Sequence, residues 1–333
     1  MRWDVRKGHI SLILSAAALA LAGCAPALRQ APTDAAIDIP SQWAYADGKT
    51  AGAATGIAAA WWQALGDTAL DGYVQVALAR NANLQVAGTR VAAARAQLAQ
   101  ADAAMAPTLG WGASAGVTHS LTTAGITTSR SVQPQLQASW EPDLWGRLGD
   151  KKTAADWQYR ASQADRDAVA LSVASTTAQA YVDLLAREAQ LAQTRRTADT
   201  RRQALQLAQD QESVGYISKL QVTQARAEYE AVQQQIPALE MAIARQFNAL
   251  QLLAGDVPAR RDTATVDGAA FARLQLPAAP QLLPSALLRR RPDLLQAELQ
   301  LAASDANLRA SRAAYLPQGN LSTSAGRLFV NAL

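Results

Sequence analysis

From Lys151 to Glu212 the chain contains neither proline nor glycine, and this stretch restricts the fold more than any other feature. Proline removes a helix donor and glycine weakens a helix interior by about 1 kcal/mol, so a run free of both reads as one helix. At 1.5 Å per residue it is about 90 Å long. Leu184, Leu191, Ala198 and Leu205 recur at every seventh position along it. Gly215 ends the run, and a second heptad pattern follows. Val222, Tyr229, Ile236, Ile243 and Leu250 occupy one position; Ala225, Val232, Leu239, Gln246 and Leu253 occupy another, three residues on. Five heptads with a single polar intruder, Gln246, specify coiled-coil pairing. The link Val214-Gly215-Tyr216-Ile217-Ser218 leaves room only for an antiparallel return, so the helices form a long hairpin with a tight tip. Pro237 is expected to kink the second helix locally.

Composition agrees with an elongated helical body. Half of the 333 residues are hydrophobic, but only 5% are aromatic, and Phe occurs three times. Alanine dominates the apolar share, which suits helices packed through small side chains and not a thick globular core. The net charge of +4 and pI near 9.4 come from dispersed basic residues, the densest run being Arg289-Arg290-Arg291. A basic stripe with interleaved aromatics is missing, which excludes nucleic acid as the expected partner. The two histidines, His9 and His119, are far apart, and the chain has one cysteine. With no hydrolase, zincin, phosphate-loop or dinucleotide motif, no catalytic residue, metal or cofactor is expected.

The amino terminus gives a compartment. Arg2, Arg6 and Lys7 precede the apolar run Ile10 to Leu21, which is too short to span a bilayer and has the length of a signal-peptide core. It ends in Leu21-Ala22-Gly23-Cys24. Small residues before the only thiol read as a lipoprotein cleavage site, with Cys24 carrying a diacylglyceryl thioether; an ordinary secretory signal with a coincidental cysteine is the alternative. Ala25 stands where an aspartate would usually imply retention in the inner membrane, so sorting to the outer membrane is expected.

Helical pattern begins near Trp61-Trp62 and runs to Ala106, where Pro107 ends it. The period then becomes two. Leu109, Trp111, Ala113, Ala115 and Val117 alternate with Gly110, Gly112, Ser114, Gly116 and Thr118. After a polar loop expected at about His119 to Arg130, Val132, Pro134, Leu136, Ala138 and Trp140 alternate with Ser131, Gln133, Gln135, Gln137 and Ser139. Each run is about ten residues, enough for a tilted strand to cross hydrocarbon. Either a soluble hairpin or a membrane hairpin has this pattern. In the membrane reading Trp111 and Trp140 sit at the helix-joined ends as interface aromatics. Pro134 fits poorly in a fully paired strand, since it cannot donate to the ladder.

Displacing the sequence by 210 residues superposes Leu84, Ala87, Leu98 and Pro107 on Leu294, Ala297, Leu308 and Pro317, and Ser114-Ala115-Gly116 on Ser324-Ala325-Gly326. A period this long signals a duplicated multi-element unit. The chain thus divides into a signal (1–23), a lipidated arm (24–60), a first helical segment (61–108), a transmembrane hairpin (109–141), a long helical hairpin (142–254), a connector (255–284) and the start of a second copy (285–333). That second copy is expected to be incomplete, ending inside its first strand. The fold class is mainly α with a transmembrane β part.

Several segments together resemble the outer-membrane efflux protein family, the TolC-type ducts, and within it the lipoprotein branch serving RND multidrug pumps. They are Leu21 to Cys24, Ser139 to Arg147 (SWEPDLWGR), Ala168 to Leu185, Val214 to Leu220, and Leu288 to Leu294 (LRRRPDL). The resemblance implies a homotrimer, with each protomer giving strands to a shared outer-membrane barrel and helical hairpins to a periplasmic α-barrel. It also implies a passive duct for drugs, working with a periplasmic adaptor and an inner-membrane RND pump. The tip Val214, Gly215, Tyr216, Ile217 and Ser218 would contact the adaptor, although a glycine in a tight turn has a plain structural reason as well. The alternatives are a truncated, non-functional remnant of such a duct, or a periplasmic adaptor or structural coiled-coil lipoprotein.

Overall fold

A computed structural model describes residues 60–123, 125–257, 268–275, 288 and 290–332. Cys24, the signal, nearly all of the arm and most of the connector lie outside these residues.

The long run forms α3, Arg147–Ser213, a single helix of 67 residues. It turns at the tip and returns as α4, Lys219–Gln233, and α5, Gln235–Leu253. All ten heptad positions read from the sequence are buried or half-buried along this return, and nearly all residues between them are exposed. The polar intruder Gln246 is satisfied: its side-chain amide donates to Ala180 O at 3.0 Å. The interruption between α4 and α5 falls at Gln234, three residues before Pro237. That is where a proline ring, lacking its own N–H, crowds the preceding turn. By composition an 18-residue stretch of α3 could cross a bilayer (mean hydropathy 1.2), and 44% of it is buried against the rest of the chain.

Upstream, the continuous helix expected from Trp61 to Ala106 is instead three pieces. A 3-10 turn, Trp61–Leu65, precedes α1, Thr68–Arg80, and α2, Ala82–Ala103. Two caps cause the breaks. The Asp67 carboxylate accepts from Ala69 N at 2.8 Å and Leu70 N at 3.2 Å. The Asn81 side chain accepts from Asn83 N at 3.0 Å and donates to Leu253 O at 2.9 Å, tying the α1–α2 corner to the end of α5. Such side chains favour caps because they compete with the helical backbone.

The duplication is visible in space. After the connector, α6 spans Pro292–Ala313, 22 residues like α2 and displaced from it by 210 positions. Both pack along α3 through alanines: Ala87 and Ala94 from α2, and Ala303, Ala306, Ala310 and Ala313 from α6 are buried.

Each of these helices leads into a strand. β1, Thr108–Thr122, and β2, Gly125–Trp140, form an antiparallel hairpin. The loop expected over residues 119–130 is therefore mostly paired strand, with His119 opposite Thr128 and Leu121 opposite Ile126. Thr, Ser and Ile there continue the extended pattern, and only the turn about residues 123–124 breaks it. On its other edge β2 pairs with β3, Leu321–Gly326, and β4, Phe329–Ala332. These two pieces keep one register. Pro134 lies at their break, where its carbonyl accepts from Arg327 N at 3.2 Å but it has no N–H to return. It is thus accommodated between two partners at the cost of one ladder bond. Gly326 makes room, since a Cβ there would lie 2.7 Å from Pro134 O.

The largest core joins the 3-10 turn, α1, α3 and α5. Leu70, Leu184, Leu185 and Leu250 are fully buried in it. Tyr181 donates from its hydroxyl to Asp67 Oδ2 at 3.1 Å. Burial, then the adjacent Asp67 carboxylate, hold this phenol well above its usual value of 10.0. A raised acid favours the neutral folded form, so its contribution is complete below pH 10 and is lost as pH rises beyond it. Tyr181→Phe is expected to cost about 1 kcal/mol at neutral pH by removing the hydrogen bond. It should also flatten the alkaline limb of a thermal-midpoint-against-pH curve. In a second test, Gly255 has φ 75° and a Cβ there would meet Arg80 O at 2.7 Å. Gly255→Ala is expected to cost about 1–3 kcal/mol. Gly72→Ala, in open space within α1, should gain about 0.5–1 kcal/mol; urea unfolding of the two variants checks the contrast.

Candidate conduit surface: sheet, collar and hairpin tip

Cross-strand partners share a face, so the register assigns every strand side chain to one side. One side carries Leu109, Trp111, Ala113, Ala115, Val117 and Leu121 from β1, opposite Ala138, Leu136, Pro134, Val132, Arg130 and Ile126 from β2. All but the half-buried Ala138 are exposed within the chain, Trp111 at 83% and Leu136 at 53%. The other side carries Gly110, Gly112, Ser114, Gly116, Thr118 and Ser120 opposite Gln137, Gln135, Gln133, Ser131, Ser129 and Thr127. It holds hydroxyls, carboxamides and bare backbone, with no charge. Trp111 and Trp140 lie on the apolar side, both near the end that joins the helices. Trp140 also donates from its indole N–H to Met105 O at 3.0 Å, fixing the end of the sheet to the end of α2.

Below the sheet, the segment Glu141 to Asp150 forms a collar. Gly146 takes φ 76°, turning the chain into α3. The Asp143 carboxylate accepts from Leu148 N at 3.1 Å and Gly149 N at 2.8 Å, capping the helix. Arg147 pairs with Glu141 at 2.5 Å, half-buried. The Trp145 indole donates to Pro317 O at 2.7 Å, and Arg309 of α6 reaches Asp150 at 2.9 Å. On the opposite flank Lys152 pairs with Asp102 of α2 at 2.5 Å. Both copies of the duplicated helix are thereby tied to the first turns of α3. Sequence reading singled out this DLWGR segment only as a likeness. The signal for its role was an acidic residue followed by glycines at a helix start.

At the far end of the hairpin, Gly215 has φ 82° and Tyr216 N donates to Gln211 O at 2.8 Å, closing α3. Ser218 then opens α4 with a reciprocal cap, its N–H donating to Gln221 Oε1 at 3.0 Å. Val214 and Tyr216 are exposed, Tyr216 at 83%, while Ile217 is half-buried. The structure therefore brings Val214 to Ser218 together as one protruding turn. Among the described residues no group of three or more His, Cys, Asp or Glu could hold a metal ion.

The sequence profile described as outer membrane efflux protein matches residues 73–256, more than half of the chain. The chain belongs to the outer membrane efflux protein family. It is 31% identical over 325 residues to the pyoverdine export outer membrane protein OpmQ of Pseudomonas aeruginosa, covering 95% of this chain and 67% of that protein. It is 31% identical to the cation efflux system protein CusC of Escherichia coli K12, covering 92% of this chain and 66% of CusC. A crystal structure of CusC superposes with TM-score 0.74 at 28% identity, over 90% of this chain and 70% of that one. The outer-membrane channel OprN shares the fold, with TM-score 0.75 at 24% identity, over 89% of this chain and 70% of that one. The chain spans between 58% and 67% of the length of the relatives OpmQ and CusC. The mainly helical class with an added strand part, read from the sequence, is that of these channels.

Because Asp143 alone satisfies two backbone donors at the start of α3, Asp143→Ala is expected to cost about 1–2 kcal/mol. Asp143→Asn, which keeps one acceptor, should lose less; thermal unfolding followed by circular dichroism checks the order.

Proposed function

We propose that this chain is a subunit of a passive outer-membrane export duct in a tripartite efflux system. The observation that carries the reading is the two-faced sheet standing on the helical hairpin. An apolar, exposed face suits lipid, and a small, uncharged polar face suits a water-filled lumen. The β1 edge and the β3–β4 edge both carry backbone groups that hydrocarbon does not tolerate unpaired, so further strands must pair with both edges to close a barrel. A homotrimer is the assembly that the family likeness supports.

In this reading Trp111 and Trp140 seat in the inner interface of the membrane, and Cys24 carries the lipid that anchors the arm. Acyl chains hold at about 0.8 kcal/mol per buried CH₂, so several chains anchor stably. The protruding turn Val214, Gly215, Tyr216, Ile217 and Ser218 meets the periplasmic adaptor, which links the duct to an inner-membrane RND pump. Export of drugs or other small molecules then draws its energy from that pump, and the duct performs no chemistry. Coiled-coil burial in the hairpin supports a rigid periplasmic conduit; the half-exposed distal helices leave a face for neighbouring hairpins.

Single-cysteine labelling separates the two faces. In cells, Gln135→Cys is expected to react with a membrane-impermeant maleimide through the lumen, whereas Leu136→Cys, one residue on, is shielded by lipid. Equal labelling of both positions, or the reverse order, would sink the duct reading.

A further inference from the structure

The four strands contain no aspartate or glutamate, yet the apolar side of the sheet carries two arginines. Arg130 sits opposite Val117 on one edge of β2 and opposite Asn331 on the other. Arg327 donates its backbone N–H to Pro134 O at 3.2 Å, which sets it on the same side as Pro134, two residues before Phe329. Neither guanidinium has an ion-pair partner among the described residues.

Height decides what can neutralise them. From Trp140 to Arg130 is ten residues along β2. That is about 34 Å of strand at 3.4 Å per residue. At a tilt of about 40° it rises about 26 Å, matching the apolar band of about 25 Å in such barrels. With Trp140 at the inner interface, Arg130 reaches the outer one. The next outward pair above it, His119 and Thr128, is polar and mutually hydrogen-bonded at 3.0 Å. Arg327, level with Pro134, stands four residues lower on the same side, and long basic side chains set within hydrocarbon extend toward the headgroups.

We propose that Arg130, assisted by Arg327, binds the phosphate of a lipid headgroup in the outer leaflet. This rests on the membrane reading of the sheet. A guanidinium meets phosphate through two parallel N–H···O bonds, a stronger and more directional contact than an ammonium makes. The site would fix the height and rotation of the barrel at its outer rim, complementing the tryptophans at the inner one.

The full chain, reconstituted in phosphatidylcholine vesicles with or without added phosphatidic acid, tests this at low salt. The thermal midpoint of the wild type is expected to rise when the anionic lipid is present. Arg130→Ala should lose most of that rise and Arg130→Lys only part of it, with Arg327→Ala intermediate. A rise of the same size in Arg130→Ala overturns the assignment while leaving the duct reading intact. An equal rise from inorganic phosphate in neutral vesicles replaces the lipid with a soluble anion and also overturns it. A chain that fails to enter either vesicle contradicts the membrane reading beneath both.

Discussion

Every other described α-helix packs against α3, and alanine is the commonest residue among those buried. Small side chains let helix axes approach closely and cost no rotamer entropy, but each buries little area, so length must supply what depth does not. A helix of 67 residues does so. It presents one stretch to α1 and α5, where Leu184, Leu185 and Tyr181 make a conventional core, and others to the paired alanine faces of α2 and α6. With a proline or glycine placed mid-way along α3, these neighbours would lose their common support.

The same helix sets where the strands begin. α2 and α6 flank α3 and send their strands to opposite edges of β2, so the duplicated units lie about a shared central strand and helix. The collar enforces this. Lys152 with Asp102 fastens one copy, Arg309 with Asp150 and Trp145 with Pro317 fasten the other, and Asp143 caps the helix between them. Exposed ion pairs each add little, and their value here is positional. They keep both strand entrances level, which the sheet register then propagates outward.

Much of this was legible beforehand. The heptads at Val222 through Leu253 specified the stripe of α4 and α5 apart from Phe247, which is buried beside it, because a coiled coil reads sequence period directly as burial. The duplication was legible because α2 and α6 kept their length. What could not be read depended on side chains reaching outside the local pattern. Asn81 breaks the first helical segment only because its amide finds Leu253 O, a contact 172 residues away. The strands proved longer than their apolar alternation, since Thr and Ser at residues 118–129 pair as readily as the apolar residues below them. Pro134 looked out of place until the register showed its missing donor directed at Arg327, where β3 and β4 part. The collar residues Glu141, Asp143, Trp145 and Arg147 were recognisable as a segment but not as a joint, because their partners lie on other elements.

The central claim is that both copies of the unit build one continuous sheet through β2, in the stated register. A cross-strand disulfide tests it most directly. Gln137 and Ser324 are partners in that register, on the uncharged face. In the membrane-extracted protein, Gln137→Cys with Ser324→Cys is expected to form a bond within the chain, seen as a linked peptide by mass spectrometry. Pairing Gln137→Cys with Thr323→Cys, one residue off and on the opposite face, should give little. The reverse preference, or no bond in either, would contradict the shared sheet.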